Sequence, residues 1–364
     1  MKKLGDYILL NPKENISKGK VARKIAMENL KPFTRDINTW SNISFNGGSK
    51  FRNGDTLLAR ITPCLENGKT AFVNILGDDE IAYGSTEFYV LRAVKNKMDP
   101  YYLYYLTISK KFRNTMIKAM TGTSGRQRVP KEAVLEYLMD APEFEGQKKI
   151  SKKLKVIDDK ITLTNQINDN LIAISKAKWL DLLSSTSTTE VSMNKIAKIT
   201  MGQSPKSSTY NTNNEGLPLL NGATDFRENI NPQRWTSDPK RVVYPNSYIF
   251  GVRATIGLTT KVYQKYAIGR GTGAATPINI IYDEFLYFYL EDLFKFYSQT
   301  GSGSVYINIS KKEFENYKID VPKISFIEQF HSEINPLFNQ IKNNKLQNIT
   351  LLQIKNDMLN KYFQ

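Results

Sequence analysis

The chain has 364 residues, is 40% hydrophobic and 11% aromatic, and carries 51 Lys and Arg against 35 Asp and Glu, a net charge of +16. That length suits two domains with something between them, and the apolar share excludes a mostly disordered chain. The charge points to a polyanionic partner, because phosphate neutralisation supplies most non-specific nucleic-acid affinity, although a lysine-rich solvated surface would give the same sum.

Cys64 is the one cysteine, so no disulfide forms within the chain, which fits a reducing cytoplasm. His331 is the one histidine, which excludes metal sites built on several His or Cys and leaves a His-based triad no second choice. His331 lies in a helical pattern, where packing or solvation is expected of it. The N-terminal residues lack the apolar core of a signal peptide, and no run of about 18 apolar residues is present, so no membrane partner is expected.

Taken in chain order, the first unit (1–145) alternates short β-patterned runs such as Glu87 to Leu91 with Gly and Pro turns. An aromatic helix near Pro100 to Met120 closes it, with Pro100 at the first helical position. A long helix follows within 146–183, read from about Gln147 to Leu183 and roughly 55 Å long at 1.5 Å per residue. Residues 184–192, rich in Ser and Thr, read as a linker. A second unit (193–322) contains the β-patterned run Val242 to Val252, and a second long helix occupies 323–364.

The two halves repeat. Lys131 and Lys311 are 180 residues apart, as are Pro142 and Pro322. Asp99 with its following aromatic run matches Asp283 with its own. In the first long helix Ile150, Leu154, Ile157, Ile161 and Leu171 fall on spacings of four and three, with Thr164 and Asn168 as polar breaks. In the second, Phe330, Ile334, Leu337, Ile341, Leu351 and Met358 do the same, with Asn344 and Asn348 at the breaks. This is the seam of a coiled coil whose polar positions set register. The expected fold is α+β: two mixed units separated by two long helices that pair antiparallel, with a pseudo-two-fold repeat.

Catalytic signatures are missing. Pro63 to Thr70 ends like a phosphate-binding loop but lacks its first glycine. Asp99-Pro100-Tyr101 has one proline where an adenine methyltransferase motif has two. No carboxylates pair into an acid–base or metal site, so no activity and no cofactor are expected in the chain. Basic and polar residues cluster instead at turns: Arg60, Thr62, Lys69, Ser85, Thr86, Arg126 and Arg128 in the first unit, and Gln203, Ser204, Tyr210, Arg253, Arg270, Thr272 and Ser302 in the second. Arg reads guanine bidentately, Gln reads adenine, and hydroxyls adapt to bases or phosphate. Each of these Arg residues has an internal ion pair as its alternative role.

The run from Gly54 to Lys69, followed by Gly84-Ser85-Thr86-Glu87-Phe88, resembles the target-recognition segments of specificity subunits of type I restriction-modification systems. In the second unit Gly202-Gln203-Ser204-Pro205, Tyr210-Asn211, Gly216-Leu217-Pro218, Asn221-Gly222, Arg253 to Gly257 and Ile268 to Gly271 resemble another such segment. The resemblance spans nearly the whole chain. It implies two target-recognition domains that each read half of a bipartite double-stranded DNA site, with the helix pair setting the gap. A ruler of roughly 50 Å corresponds to something on the order of 15 base pairs. It further implies docking of two methyltransferase subunits and of restriction/translocase subunits. S-adenosylmethionine, ATP and magnesium would be bound by those partners. The first helix opens like the family's (Glu145-Gly146-Gln147), whereas the second has Glu328-Gln329 slightly later, which leaves its start open. The rival readings are a single-chain nuclease or methyltransferase, a silent specificity protein, and a non-specific DNA-binding coiled-coil scaffold.

Overall fold

The computed structural model describes residues 1–123, 125–226, 230–252, 259–300 and 310–364. It divides into one unit of Met1–Gln166 with Asn344–Gln364, and a second of Ile167–Asn343. Each unit therefore holds one globular body and a portion of both long helices.

In the first unit, an antiparallel sheet runs in the order Ile8–Leu10, Phe88–Ala93, Asp55–Ala59, Thr70–Phe72. A second sheet runs Ser41–Ser44, Val21–Ile25, Ala82–Gly84, Ser49–Phe51, with its two middle strands parallel. Side chains alternate across a strand. Leu57, Phe88 and Val90 accordingly point into an apolar core with Phe51 and Val73, and Leu58, Tyr89 and Leu91 point the other way. That second face is covered by helix α1 (Pro100–Ile108), helix α2 (Lys110–Lys118) and the short helix α3 (Lys131–Leu135). Because both faces of Asp55–Ala59 are covered, all five of its residues are buried. The polar Asp55 is tolerated there because Arg92 binds its carboxylate at 2.7 Å and reaches Glu14 at 2.6 Å.

One of the sequence expectations changes here and one holds. The aromatic helix is two helices, split where Ser109 turns extended (ψ 148°) and caps α2 through the amide of Phe112. The expectation for Pro100 stands: Asp99 caps α1, accepting from the Tyr102 amide at 2.9 Å, and Pro100 follows it.

The long helix α4 spans Phe144–Ser185, 42 residues, longer at both ends than the sequence suggested. The stretch expected to be a linker carries a strand, Thr188–Ser192, which pairs antiparallel with Lys318–Pro322. A polar composition did not prevent pairing because the partner strand supplies a hydrogen-bond ladder.

The second unit repeats the plan. One antiparallel sheet runs Ala197–Met201, Thr272–Pro277, Tyr248–Gly251, Thr259–Lys261. The other runs Tyr210–Asn211, Arg234–Thr236, Leu217–Leu220, Tyr266–Ile268, Val242–Val243, with Leu217–Leu220 and Tyr266–Ile268 parallel. Ile249 and Ala274 face one core, and Tyr248, Phe250 and Ala275 face the other. Helix α5 (Asp283–Thr300) and the capped helix α6 (Lys311–Asn316) follow, then α7 (Ile324–Tyr362, 39 residues). Pro336 lies inside α7, a helix breaker that the heptad reading passed over.

The helix faces follow the expected grid in part. Leu154, Phe330, Ile334 and Ile341 are buried; Ile150, Ile157, Ile161, Leu171, Leu337, Leu351 and Met358 are half-buried. The breaks Thr164, Asn168, Asn344 and Asn348 are buried too. Within the first unit the Thr164 hydroxyl donates to Asn348 at 2.6 Å, and Asn348 donates to Asn165 at 2.9 Å. The grid missed Asp158, Ser175, Trp179, Lys355 and Leu359, all of which are buried. No helix among the described residues is long and apolar enough to cross a membrane.

Leu154 is fully buried and Leu163, nine residues on, is half exposed. Leu154→Ala is expected to cost about 2–5 kcal/mol in urea unfolding, and Leu163→Ala within about 0.5 kcal/mol. Equal effects would show that the buried face of α4 is misassigned.

Candidate nucleic-acid interface

In the first unit, strand ends bring three polar loops together. The Arg60 amide donates to the Glu87 carbonyl at 3.0 Å, the Val129 amide to the Arg60 carbonyl at 2.9 Å, and the Thr62 amide to the Gln127 carbonyl at 3.0 Å. The loops after Asp55–Ala59, before Phe88 and before α3 are thus sewn side by side. Their side chains meet at Glu87. Arg128 binds its carboxylate through two nitrogens, Nη2 at 2.7 Å and Nε at 3.0 Å, and Arg60 adds Nε at 3.2 Å. The Arg60 guanidinium also lies 5.2 Å from the centre of the Tyr89 ring, whose hydroxyl donates to the Val129 carbonyl.

Arg128 foremost, then Arg60, holds the Glu87 carboxyl below the usual carboxylate range against the opposing effect of burial. The cluster is therefore ionised at neutral pH and keeps one uncompensated positive charge.

The other expected residues of this unit fall around the cluster with different freedom. Arg126 and Thr86 are exposed. The Thr62 hydroxyl donates to Glu66 at 3.2 Å, and Ser85 accepts from the Glu87 amide at 3.1 Å. Lys69 donates to the Met27 carbonyl at 2.8 Å, which ties the loop to its neighbour. Phe33 escaped the sequence reading. It is half exposed, has a left-handed backbone (φ 53°), and lies over the buried Arg113 guanidinium at 4.7 Å. Gly68 makes room for it: a Cβ there would stand 2.6 Å from the ring.

In the second unit Ser204, Asn221 and Arg270 converge. The Ser204 hydroxyl donates to Asn221 Oδ1 at 3.3 Å and accepts from the Arg270 amide at 3.3 Å. Gly269 and Gly271 pack against Asn221 so closely that a Cβ would meet it at 1.9 and 2.5 Å, which explains the glycines on either side of Arg270. Gln203 and Arg270 are exposed, and the half-buried Tyr210 donates to the Pro205 carbonyl at 3.3 Å.

Thr272 is corrected. It is fully buried and its hydroxyl donates to the Leu220 carbonyl at 3.0 Å, so it braces the two sheets and is not placed to touch DNA. Its place in a β-strand, one position beyond the exposed turn, was not visible from residue type. Arg253 and Ser302 lie outside the described residues. His331 packs as expected: its Nδ1 is 2.5 Å from the buried Glu284 carboxylate, which Asn335 also donates to at 2.9 Å.

Two like α/β bodies, each with an arginine-bearing loop cluster at its strand ends, and long helices after each, define a tandem recognition protein. The chain belongs to the family of type I restriction modification DNA specificity domains, whose profile matches residues 6–172 and again 187–351. Its role is that of a DNA sequence-specificity subunit of such a system. It is 30% identical over 297 residues to a Methanocaldococcus jannaschii chain described as the MjaX type I restriction enzyme specificity subunit, covering 74% of this chain and 68% of that one. The EcoAI specificity subunit of Escherichia coli is 32% identical over 115 residues, covering 32% of this chain and 19% of that one. The crystal structure of the type I restriction-modification S subunit from M. genitalium has the same fold, with a TM-score of 0.58 at 14% identity, covering 100% of this chain and 95% of that one.

Glu87 has a lowered pKa when folded, so its tie between the loops is present above the unfolded carboxylate value of about 4.3 and is lost as pH falls through the lower folded value. Proteolysis of the loop at 125–129 is expected to stay flat from pH 7 to 5 in the native protein. Glu87→Gln should speed it several-fold across that range. Equal cleavage of both proteins at pH 7 would show that the carboxylate does not hold the loop.

Proposed function

We propose that the chain reads a bipartite, gapped DNA site, residues 1–145 reading one half and 193–322 the other, and directs partner subunits to it. One observation carries this: two bodies of the same topology present different loop chemistry. The first offers Arg60, Glu87, Arg126 and Arg128; the second offers Gln203, Ser204, Asn221 and Arg270. A repeat that served only as a scaffold has no use for that difference, and two unlike loop sets specify two unlike half-sites.

Arg126 and Arg270, both exposed, anchor phosphates or base edges, and Lys and Arg elsewhere make binding salt-dependent. The two helices act as an antiparallel coiled-coil ruler. In support, the partner's number in α7 falls as that in α4 rises: Asp158 meets Lys355 and Thr164 meets Asn348 in the first unit, and Lys178 meets Glu333 in the second. Val156 and Leu163, seven residues apart, remain exposed, as do Ile167 and Ile174, which supports docking of two methyltransferase subunits on the helices. Restriction/translocase subunits complete the assembly. The chain itself is non-catalytic, and S-adenosylmethionine, ATP and magnesium act on the partners.

A long-read map of modified adenines in cells with and without the gene, beside its methyltransferase partner, is expected to show one gapped, asymmetric motif that depends on the gene. No gene-dependent motif with an expressed partner would leave a silent protein or scaffold. In purified complex, Arg126→Ala and Arg270→Ala are each expected to weaken DNA binding and lower the salt slope by about one. An unchanged slope removes that residue from the interface. Deleting seven residues from α4 should change the permitted gap or abolish assembly, and an unchanged gap would end the ruler reading.

A further inference from the structure

Among the described residues, Asp158 and Lys355 are the charged side chains that α4 and α7 bury. They meet at 2.7 Å in the first unit, with side chains 8% and 4% exposed. Tyr105 of α1 donates its hydroxyl to the other Asp158 oxygen at 2.8 Å, and the Lys355 ammonium lies 5.9 Å from the Tyr105 ring centre. Removing two charges from water is expensive, and well-packed apolar residues commonly serve stability as well. A pair kept at such a place calls for a reason other than stability.

The 180-residue repeat supplies one. Carried back by 180, Lys355 falls on Ser175; carried forward by 180, Asp158 falls on Phe338. In the second unit Ser175 is buried and donates to the Leu171 carbonyl of its own helix, while Phe338 packs on Tyr287 and Phe288 with ring centres 5.3 and 6.0 Å apart. The same seam positions are therefore ionic in one unit and apolar or neutral in the other.

Two helices that share a register can pair in three ways: α4 with α7, α4 with the α4 of a second copy, or α7 with the α7 of a second copy. Most seam positions are indifferent to the choice. Leu154 and Ile334, Ile161 and Ile341, and Trp179 and Leu359 exchange one apolar group for another, and Thr164, Asn168, Asn344 and Asn348 exchange hydroxyl and amide partners. The ionic pair is not indifferent. In an α4–α4 pair each Asp158 would face Ser175, and two carboxylates would be buried without their ion-pair partner, with Arg35 of the first body close enough to act on each but not bonded to it. In an α7–α7 pair each Lys355 would face Phe338, and two ammonium groups would be buried against rings. Buried charges without partners are among the costliest defects a seam can hold.

We propose that Asp158 and Lys355 select the partner of each long helix, so that α4 accepts the chain's own α7 and rejects the equivalent helix of a second copy. The consequence rests on the functional reading above. One copy of each recognition body is then present per helix pair, and the site read stays asymmetric. Without the discriminator, pairs of like halves would form and would read inverted repeats.

The test uses full-length chains and no DNA. Cys64→Ser with Ile167→Cys leaves one thiol, exposed beside the buried seam positions Thr164 and Asn168. When Asn348, which faces Thr164, is carried back onto Asn168, the centre of an α4–α4 pair falls at residue 166, so the two thiols would flank it on the same side of the seam, and a short bismaleimide joins two chains there only if like helices pair. Two differently tagged chains are co-expressed, and co-purification and crosslinking are read together with Tm. The unchanged seam is expected to give no crosslink. Lys355→Ser alone strands Asp158 and should lower Tm by on the order of 10 °C.

Asp158→Phe with Lys355→Ser makes the two helices equivalent at these positions. This double variant should recover most of the Tm yet co-purify and crosslink. Asp158→Lys with Lys355→Asp restores opposite charges and should stay uncrosslinked. A double variant as free of crosslinks as the parent would overturn the proposal, as would a charge-exchanged variant that crosslinks like it. A parent seam that already crosslinks would overturn the antiparallel pairing itself. DNA specificity could fail in its own assay without moving any of these readouts.

Discussion

Everything in each unit depends on one strand buried on both faces. Asp55–Ala59 in the first unit and Tyr248–Gly251 in the second lie inside a sheet that packs on another sheet on one side and on helices on the other. Alternation of side chains sends Leu57 one way and Leu58 the other, so a single strand organises two cores. Its end is consequently rigid, and the loop that leaves it begins from a fixed place. Arg60 is the residue that follows Ala59, and its guanidinium inherits that fixity through Glu87 and Tyr89.

Polar groups that this packing buries are placed where a partner waits. Asp55 has Arg92, Glu284 has His331 and Asn335, Thr164 has Asn348, and Asp158 has Lys355 and Tyr105. Such groups contribute little net stability, yet each is satisfied in one arrangement of elements and not in its neighbours. They act as locks on topology, and in the helices they act on the choice of pairing. The loop clusters obey the same rule at the surface: Glu87 collects two arginines and leaves one charge over, whereas Ser204 and Asn221 share neutral hydrogen bonds beside Arg270.

Much of the organisation was legible in the sequence because it was written twice. The 180-residue offset linked Lys131 to Lys311 and the seam of one helix to that of the other, and the two sheets of each unit repeat the same order, apart from the added edge strand Tyr210–Asn211 in the second. Of the buried residues outside the expected seam, Asp158, Ser175 and Lys355 were passed over because they are polar and a hydrophobic grid does not register polar positions, whereas Trp179 and Leu359 are apolar and lay beyond the positions the grid selected. Ser109 was missed as a break because a lone serine in an aromatic run changes no periodicity; its extended backbone and cap do the work. Thr188–Ser192 was missed because its strand exists only through pairing with residues about 130 positions away, Lys318–Pro322.

The site divides along the same line. Residue type placed Arg60, Arg126, Arg128, Ser204 and Arg270 at turns, and that much depended on local chemistry alone. It could not tell that Thr272 points inward, since one step along a strand reverses the face, nor that Phe33 is held out over Arg113 by the absence of a side chain at Gly68. By itself the sequence determined the repeat, the two long helices, the class of partner and the family, because these rest on composition, period and motif, which are properties of neighbours along the chain. Only the tertiary structure decided which arginines share a carboxylate, which hydroxyl is buried and which charge faces which, because those depend on distances between segments that the chain order does not contain.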